Sequence, residues 1–164
     1  MIFWPFATIL IAAAIFDLRT LTIPNWLCLF LVVAFFSAAM ITHMPIAALS
    51  AQIACGLAVL AATFLLFLIG VVGGGDAKLA AAIALWLGWD GLTVFLVQTA
   101  LWGGALAALI LLIRELSFHL IIINHRLISN LVDPAAGAPY GVALAIGGLF
   151  ALPHSALWRL AGAA

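Results

Sequence analysis

Residues 46–72 read IAALSAQIACGLAVLAATFLLFLIGVV and contain no charged side chain. A helix that crosses a bilayer needs about 20 mostly apolar residues, so this stretch alone is long enough to span a membrane. The whole chain has the same character, because 69% of its 164 residues are hydrophobic, 6% are charged and its mean hydropathy is +1.42. Soluble domains carry about 25% charged residues. The sequence therefore excludes a soluble globule and a disordered chain, and it predicts a polytopic membrane protein.

Apolar runs on both sides of this stretch supply the other predicted helices. The first and fourth runs are short, and they cross the membrane only if their polar ends lie at its interface. A turn is expected at Trp89-Asp90-Gly91, between the fourth and fifth runs. The expected fold is all-α, a single transmembrane domain over residues 1–164 with about six transmembrane helices in one bundle and no soluble domain. The six candidate spans are Ile2–Phe16, Trp26–Thr42, Ile46–Val72, Gly75–Trp89, Leu92–Ile113 and Ala138–Leu157.

The basic residues predict how this bundle is oriented. With six spans, the segments that follow the odd-numbered spans share one face of the membrane. Of the five cations only Arg159 falls on the opposite face. Because cytoplasmic loops carry an excess of Lys and Arg, the first face is assigned to the cytoplasm. The cations on that face are Arg19, Lys78, Arg114 and Arg126.

Charge and cysteine usage bear on the other classes of partner. The formal net charge is +0 and the isoelectric point is about 6.9, which leaves no basic surface for nucleic acid. Cys28 and Cys55 lie in apolar runs, without a CxxC partner or a neighbouring histidine. We therefore expect no metal site and no cofactor, and the lipid bilayer is the partner that the composition predicts.

Asp17 and Asp76 are the most informative residues in the chain. Each lies directly against a hydrophobic run, where an ionisable side chain is costly and is by default a candidate functional group. Asp17 follows the first predicted span and Asp76 follows the third. Because two spans separate them, both carboxylates are expected on the cytoplasmic side at a similar depth.

The residues around each aspartate predict irregular backbone. Pro24 lacks a backbone N–H and forces Ile23 to be extended, so the first helix must end before this point. Three glycines, Gly73-Gly74-Gly75, precede Asp76, and such a run breaks a helix and allows dihedral angles that other residues avoid. Irregular backbone at membrane depth is tolerated only where it is buried in protein or lines a water-filled cavity. We therefore expect the glycines to let another chain or a water molecule approach Asp76.

A pair of neighbouring carboxylates has a characteristic chemistry. Two carboxylates a few ångströms apart share one proton, because both cannot easily be ionised together. The ionised member then takes a proton from water, while the protonated member polarises the carbonyl that is attacked. If Asp17 and Asp76 meet, peptide-bond hydrolysis is the reaction that suits them best.

With these features the chain resembles the type IV prepilin peptidases, which are intramembrane aspartic proteases of the Gly-x-Gly-Asp type. The resemblance covers the full length and rests on three segments. Asp17 and the following Ile23-Pro24-Asn25 are similar to the family's first aspartate motif. Gly73-Gly74-Gly75-Asp76-Ala77-Lys78-Leu79 is similar to the second motif, with its lysine. Pro139-Tyr140-Gly141 is similar to the family's Pro-aromatic-Gly element.

The resemblance implies a function and a set of site residues. Asp17 and Asp76 are the implied catalytic pair, and Gly73, Gly74 and Gly75 are expected to admit the substrate backbone. The implied reaction is cleavage of the leader peptide of type IV or Flp prepilins, or of pseudopilins, after a glycine at the cytoplasmic face of the bacterial inner membrane. The implied supporting residues are Lys78, Pro24, Asn25, Pro139 and Gly141.

The chain also departs from the longer members of that family. Those members carry a zinc-binding cysteine segment near the N-terminus, associated with N-methylation of the new amino end. Here the first predicted cytoplasmic loop runs only from about Asp17 to Asn25, and the sequence has no cysteine tetrad. No zinc site and no methyltransferase segment are therefore expected. The short form resembles the peptidases of tight-adherence (Flp) pilus systems.

Two other functions stay open at the level of the sequence. Carboxylates beside a broken helix also make proton or cation relays in small transporters. A transporter is expected to have carboxylates deep in the bundle or on both faces, and two pseudo-symmetric halves. Here both aspartates are expected on one face, and the sequence shows no matching halves. An inactive pilus-assembly subunit that kept the fold is the other alternative. For Lys78 two roles are open, an anchor that reaches the lipid headgroups and a charge that acts on Asp76 or attracts an acidic substrate group.

Overall fold

The computed structural model describes residues 3–117 and 138–163, and all regular structure in these residues is helical. The all-α prediction is therefore confirmed for the described part of the chain. Arg126 and most of the predicted cytoplasmic segment that contains it lie outside the described residues. The helices are α1 (Trp4–Thr20), α2 (Asn25–Ile41), α3 (Ile46–Leu68), α4 (Gly74–Ser117), α5 (Tyr140–Ala151) and α6 (Ala156–Ala163), with a 3₁₀ turn at Leu152–His154 between the last two.

Prolines mark the starts of three of these helices. Pro24, Pro45 and Pro139 each occupy the position immediately before the first residue of α2, α3 and α5. A proline at a helix start loses nothing, because the first N–H groups of a helix have no partner within it. The sequence prediction that Pro24 separates the first two helices is confirmed. α1 nevertheless continues past Phe16, so Asp17 lies in its last turn rather than beyond it.

The predicted turn at Trp89-Asp90-Gly91 is wrong. The runs predicted as the fourth and fifth spans are two helical segments of α4, as expected, but they meet at the non-helical Gly88 (φ 62°, ψ −171°). A positive φ of this kind is open to glycine and costly for other residues, so the break falls at Gly88. Asp90 is helical and its carboxylate pairs with Arg159 of α6; both side chains are more than half exposed.

The described helices do not by themselves give six membrane spans. Ile46–Leu68 and Gly74–Ile113 are long and apolar enough to cross a membrane, and Tyr140–His154 with Ala156–Gly162, which meet at a 51° bend, would make a third span. α1 and α2 have 17 residues each, at the lower end of the length that spans the hydrocarbon core. The expectation of an apolar helical protein is therefore confirmed. In the described residues, two helices, or three if the bent pair is one span, are long and apolar enough to cross a membrane.

The core forms where α1, α2, α4 and α5 meet. Trp86 of α4 is fully buried, and its indole Nε1–H donates to the carbonyl oxygen of Leu31 in α2 at 2.8 Å. The rings of Phe6 and Phe35 pack against the same indole at centroid distances of 5.0 and 6.0 Å. Many large apolar side chains, such as Met40 and Ile46, remain exposed. An apolar exterior of this extent is typical of a surface that faces lipid rather than water.

Candidate active site

Asp17 is a buried carboxylate at the end of α1. Its side chain is 4% exposed, and its Oδ2 accepts a hydrogen bond of 2.6 Å from the backbone N–H of Gly141. The N–H of Leu21, which ends α1 in the left-handed conformation (φ 51°), donates to the backbone carbonyl of Asp17 at 2.8 Å. The Asp17 carboxylate is thus held against the N-terminus of α5, where free N–H groups favour negative charge.

Gly141 allows this close approach because it has no side chain. A Cβ atom at Gly141 would lie 2.8 Å from Oδ2 of Asp17 and 3.0 Å from its Cγ. Pro139 stands just before α5 and Tyr140 is its first residue, so the Pro139-Tyr140-Gly141 segment turns the chain into the helix and presents the Gly141 N–H. This gives the segment a physical role beside Asp17.

Asp76 lies in the first turn of α4 and is partly buried. The carboxylate lies close to Gly73, the residue before the helix. A Cβ atom at Gly73 would lie 2.9 Å from Oδ2 of Asp76. Each aspartate thus has a glycine beside its carboxylate, and for Asp17 that glycine, Gly141, donates a hydrogen bond to it.

The three glycines before Asp76 lie at the junction between α3 and α4. The predicted break in the helix is present, because Gly73 lies in the non-helical segment that separates α3 from α4, and α4 begins at Gly74. None of the three glycines has a positive φ. They permit close packing: a Cβ atom at Gly74 would lie 3.3 Å from the Phe67 ring, and one at Gly75 would lie 3.1 Å from Cβ of Ile23. Gly74 and Gly75 thus let Phe67 of α3 and Ile23 of the loop before α2 pack closely against the start of α4.

The segments that carry the two aspartates lie together. Ile23, in the loop after Asp17, packs on Gly75 beside Asp76. Lys78 Nζ donates a hydrogen bond of 2.9 Å to Oδ1 of Asn25, the first residue of α2 after Pro24. The structure thus brings together Asp17, Asp76, the three glycines, Pro24, Asn25, Lys78, Pro139 and Gly141, all of which the sequence singles out.

A cavity of about 290 Å³ opens beside Asp76 between α3, α4 and α5. Gly73 and Asp76 border it, and Tyr140, the neighbour of Gly141, lines another part of its wall. Sequence reasoning did not identify Thr63, Phe95 and Thr99, which also line it. These residues lie far apart in sequence within apolar helices, so no local pattern marks them. Among the described residues, no group of three or more His, Cys, Asp or Glu side chains could hold a metal ion.

Comparison with known proteins gave one match. No curated protein and no solved structure showed a significant similarity to the chain. The model of the type IV leader peptidase family matches residues 4–112, which is more than half of the chain and includes both Asp17 and Asp76. Pro139-Tyr140-Gly141 lies beyond the matched range. The chain therefore belongs to the type IV leader peptidase family.

Proposed function

We propose that this protein is a membrane-embedded aspartic endopeptidase in which Asp17 and Asp76 form the catalytic pair. Its substrates are prepilins or pseudopilins, and it cleaves their leader peptide at the cytoplasmic face of the bacterial inner membrane. Family membership supports a leader peptidase, and the short connection between α1 and α2, which contains no cysteine, favours the tight-adherence (Flp) type.

The observation that carries this proposal is the convergence of two carboxylates from separate helices. Asp17 of α1 accepts from Gly141 at 2.6 Å, and Ile23, in the loop that follows Asp17, packs on Gly75, the neighbour of Asp76 in α4. Groups that are held before the substrate arrives need no reorganisation during the reaction. The cavity beside Asp76 gives a peptide and a water molecule access to that carboxylate.

The proposed reaction follows from one shared proton. The ionised aspartate takes a proton from a water molecule, and the resulting hydroxide attacks the carbonyl carbon of the scissile bond. The protonated aspartate donates a hydrogen bond to the carbonyl oxygen, where negative charge develops. The C–N bond of the tetrahedral intermediate then breaks as its nitrogen receives a proton from the carboxyl pair. The products are a free carboxylate on the leader and a new amino terminus on the pilin.

Lys78 and Asn25 are proposed to position the pair rather than to react. Their 2.9 Å hydrogen bond joins α4, which carries Asp76, to the start of α2. Pro24 sets that start, while Pro139 and Gly141 set the start of α5 beside Asp17. With these contacts and the packing of Ile23 on Gly75, neither aspartate can move far without displacing the other segment.

The proposed topology has six crossings, with the carboxylates near the cytoplasmic interface. Arg19 follows Asp17 by two residues and Lys78 follows Asp76 by two, so a cation accompanies each carboxylate. The Asp90–Arg159 pair is separated from Asp76 by the first segment of α4 and the Gly88 break. Placing Arg19 and Lys78 in the cytoplasm follows the usual excess of basic residues on that side.

Co-expression with a prepilin of a tight-adherence system tests the proposal, with leader loss measured by mass spectrometry. We expect Asp17→Asn and Asp76→Asn each to abolish processing while the protein still accumulates in the membrane. Asp90→Asn is the matched control, because it removes an exposed carboxylate that pairs with Arg159 beyond the Gly88 break. We expect Asp90→Asn to process the prepilin normally.

The same experiment separates the alternatives. Processing at the normal rate by either Asn variant at position 17 or 76 would disprove the catalytic pair. Proton or cation flux into proteoliposomes that Asp76→Asn abolishes, with no cleavage by the unchanged protein, would favour a transporter. Absence of both cleavage and flux would favour an assembly subunit without catalytic activity.

A further inference from the structure

A second groove lies between α2, α3 and α4. Its volume is about 420 Å³, and none of the described residues that line it also lines the cavity beside Asp76. Its walls come from residues within 28–36 of α2, 53–60 of α3 and 78–85 of α4. These residues recur at intervals of three or four and so lie on one face of each helix. At 1.5 Å per residue the groove therefore follows the helices for about 10 Å.

One end of this groove is cationic. Apart from Lys78, no described residue that lines the groove has a side-chain nitrogen or oxygen atom. Lys78 Nζ donates to Oδ1 of Asn25, the first residue of α2, at 2.9 Å, so the cation lies where α2 and α4 begin. Leu85, seven residues further along α4, lines the opposite end. The groove thus combines a positive charge at one end with apolar walls along the rest.

The groove opens on the apolar exterior of the protein. Leu29 and Leu57 line it and are 61% and 59% exposed. A Cβ atom at Gly56 would lie 3.2 Å from Cβ of Leu85, so α3 and α4 are in close contact within the groove. In a bilayer, hydrocarbon enters an apolar groove of this kind, because a void beside its walls would forfeit dispersion contacts.

The charge of Lys78 gives the groove a preference among lipids. An ammonium group has three hydrogen-bond donors, and the neutral amide of Asn25 accepts from one of them. In the part of the chain that the structure describes, no carboxylate lies within 4 Å of Lys78, since the one ion pair found there joins Asp90 to Arg159. No close partner therefore neutralises this charge, and basic side chains at a membrane surface attract anionic lipids.

We propose that this groove binds one anionic phospholipid, with an acyl chain along α2, α3 and α4 and the headgroup phosphate at Lys78. An amphiphile with an anionic head matches both ends of the groove, whereas a neutral apolar helix would leave the charge of Lys78 without a partner. The bound phosphate would lie beside the contact that joins Lys78 to Asn25, outside the cavity at Asp76. The inference goes beyond the proposed function, and none of its measurements depends on cleavage.

Two neighbouring valines of α2 provide a matched test of the acyl chain. Val32 lines the groove, whereas Val33 does not and is 53% exposed. Val32→Trp therefore adds an indole ring to the groove, and Val33→Trp adds the same ring to the exposed surface. The probes are phosphatidylglycerol and phosphatidylcholine with identical acyl chains. Each is titrated into the purified protein in detergent, and the bound lipid is quantified by native mass spectrometry.

The measured quantities are the dissociation constants of the two lipids. We expect the unchanged protein to bind phosphatidylglycerol more tightly than phosphatidylcholine. Val32→Trp should weaken the binding of both lipids about fourfold or more, the factor that corresponds to one methylene group kept from an apolar site. Val33→Trp should leave both constants within about twofold. If the tryptophan variants accumulate poorly, Val32→Phe and Val33→Phe test the same contrast with a smaller ring.

Two basic residues test the headgroup. Lys78 and Arg19 are both exposed, but Arg19 belongs to α1 and does not line the groove. Lys78→Gln should lower the preference for phosphatidylglycerol about fivefold, the effect of one basic side chain on an anionic lipid. Arg19→Gln should leave that preference within about twofold. Inorganic phosphate should not displace the lipid, because it has no acyl chain.

Each other outcome would overturn the inference. Equal lipid binding by the Val32 and Val33 variants would show that the acyl chain does not lie in the groove. An equal loss of preference in the Lys78 and Arg19 variants would show a general effect of surface charge. Displacement by inorganic phosphate would show an anion site without a place for the chain. A change in oligomeric mass or in prepilin binding by Val32→Trp, with lipid binding unchanged, would make the groove a protein interface.

Discussion

Substitution of Gly141 by alanine tests the contact that holds Asp17. The new Cβ atom would lie 2.8 Å from Oδ2 and 3.0 Å from both Cβ and Cγ of Asp17, which is closer than van der Waals contact permits. Asp17 is 4% exposed and its carboxylate is hydrogen-bonded to the Gly141 N–H, so it has little room to yield. Either the carboxylate or the first turn of α5 must move, and the 2.6 Å hydrogen bond is lost.

The expected magnitude follows from that hydrogen bond. A hydrogen bond to a charged group contributes about 1.5–3 kcal/mol, and each 1.36 kcal/mol changes a rate about tenfold. If the bond orients the carboxylate in the transition state, Gly141→Ala should lower kcat/KM for prepilin cleavage by about 10- to 150-fold. Because the change displaces a reacting group, most of the loss should appear in kcat rather than in KM.

The assay is leader removal from a purified prepilin by the purified variant in detergent, with the unfolding temperature measured in parallel. Gly104→Ala is the first control, because a Cβ atom at this helical glycine meets nothing within 4 Å. Gly148→Ala is the second control, because its Cβ atom would lie 3.0 Å from Ile83 and 3.1 Å from Leu10. It adds a crowded methyl group to the same helix, away from Asp17.

The comparison separates the loss of orientation from a general loss of packing. We expect Gly148→Ala to lower the unfolding temperature while retaining most of kcat, and Gly104→Ala to change neither quantity. If Gly141→Ala cleaved prepilin at the normal rate, or if Gly148→Ala lost as much kcat, the Gly141 N–H would have no special part in positioning Asp17.

Two further substitutions test the packing around the site and at the break in α4. Lys78→Ala and Asn25→Ala should each lower kcat by about 2- to 10-fold, because one hydrogen bond contributes about 0.5–1.5 kcal/mol. The double variant should lose no more kcat than either single variant, because both changes remove the same bond. An additive loss would show that the two side chains act separately. Gly88→Ala should lower the free energy of unfolding by about 2 kcal/mol, because alanine is strained at φ 62° and its Cβ would collide with the buried amide of Gln52. In the double variant, Gln52→Ala should recover part of the lost free energy of unfolding, measured by denaturant titration, because it removes the side chain that the new Cβ meets. If nothing is recovered, the whole loss comes from backbone strain at position 88.

Much of the architecture can be read from the local sequence. The apolar run at residues 46–72 predicts a membrane helix, and Pro24 predicts the boundary that the structure places between α1 and α2. Asp17 and Asp76 are conspicuous because carboxylates beside apolar runs are costly. Hydropathy and the missing proline N–H act within a few residues, so these features need no knowledge of the fold.

The contacts that complete the candidate site depend on tertiary structure. The bond from Gly141 to Asp17 joins residues 124 positions apart, and the cavity beside Asp76 is assembled from three helices. The break at Gly88 rather than at Asp90-Gly91, and the use of Gly73–Gly75 for close packing, follow from which helices lie against those glycines. A glycine can serve either a turn or a close approach, and only the position of its neighbours decides between the two.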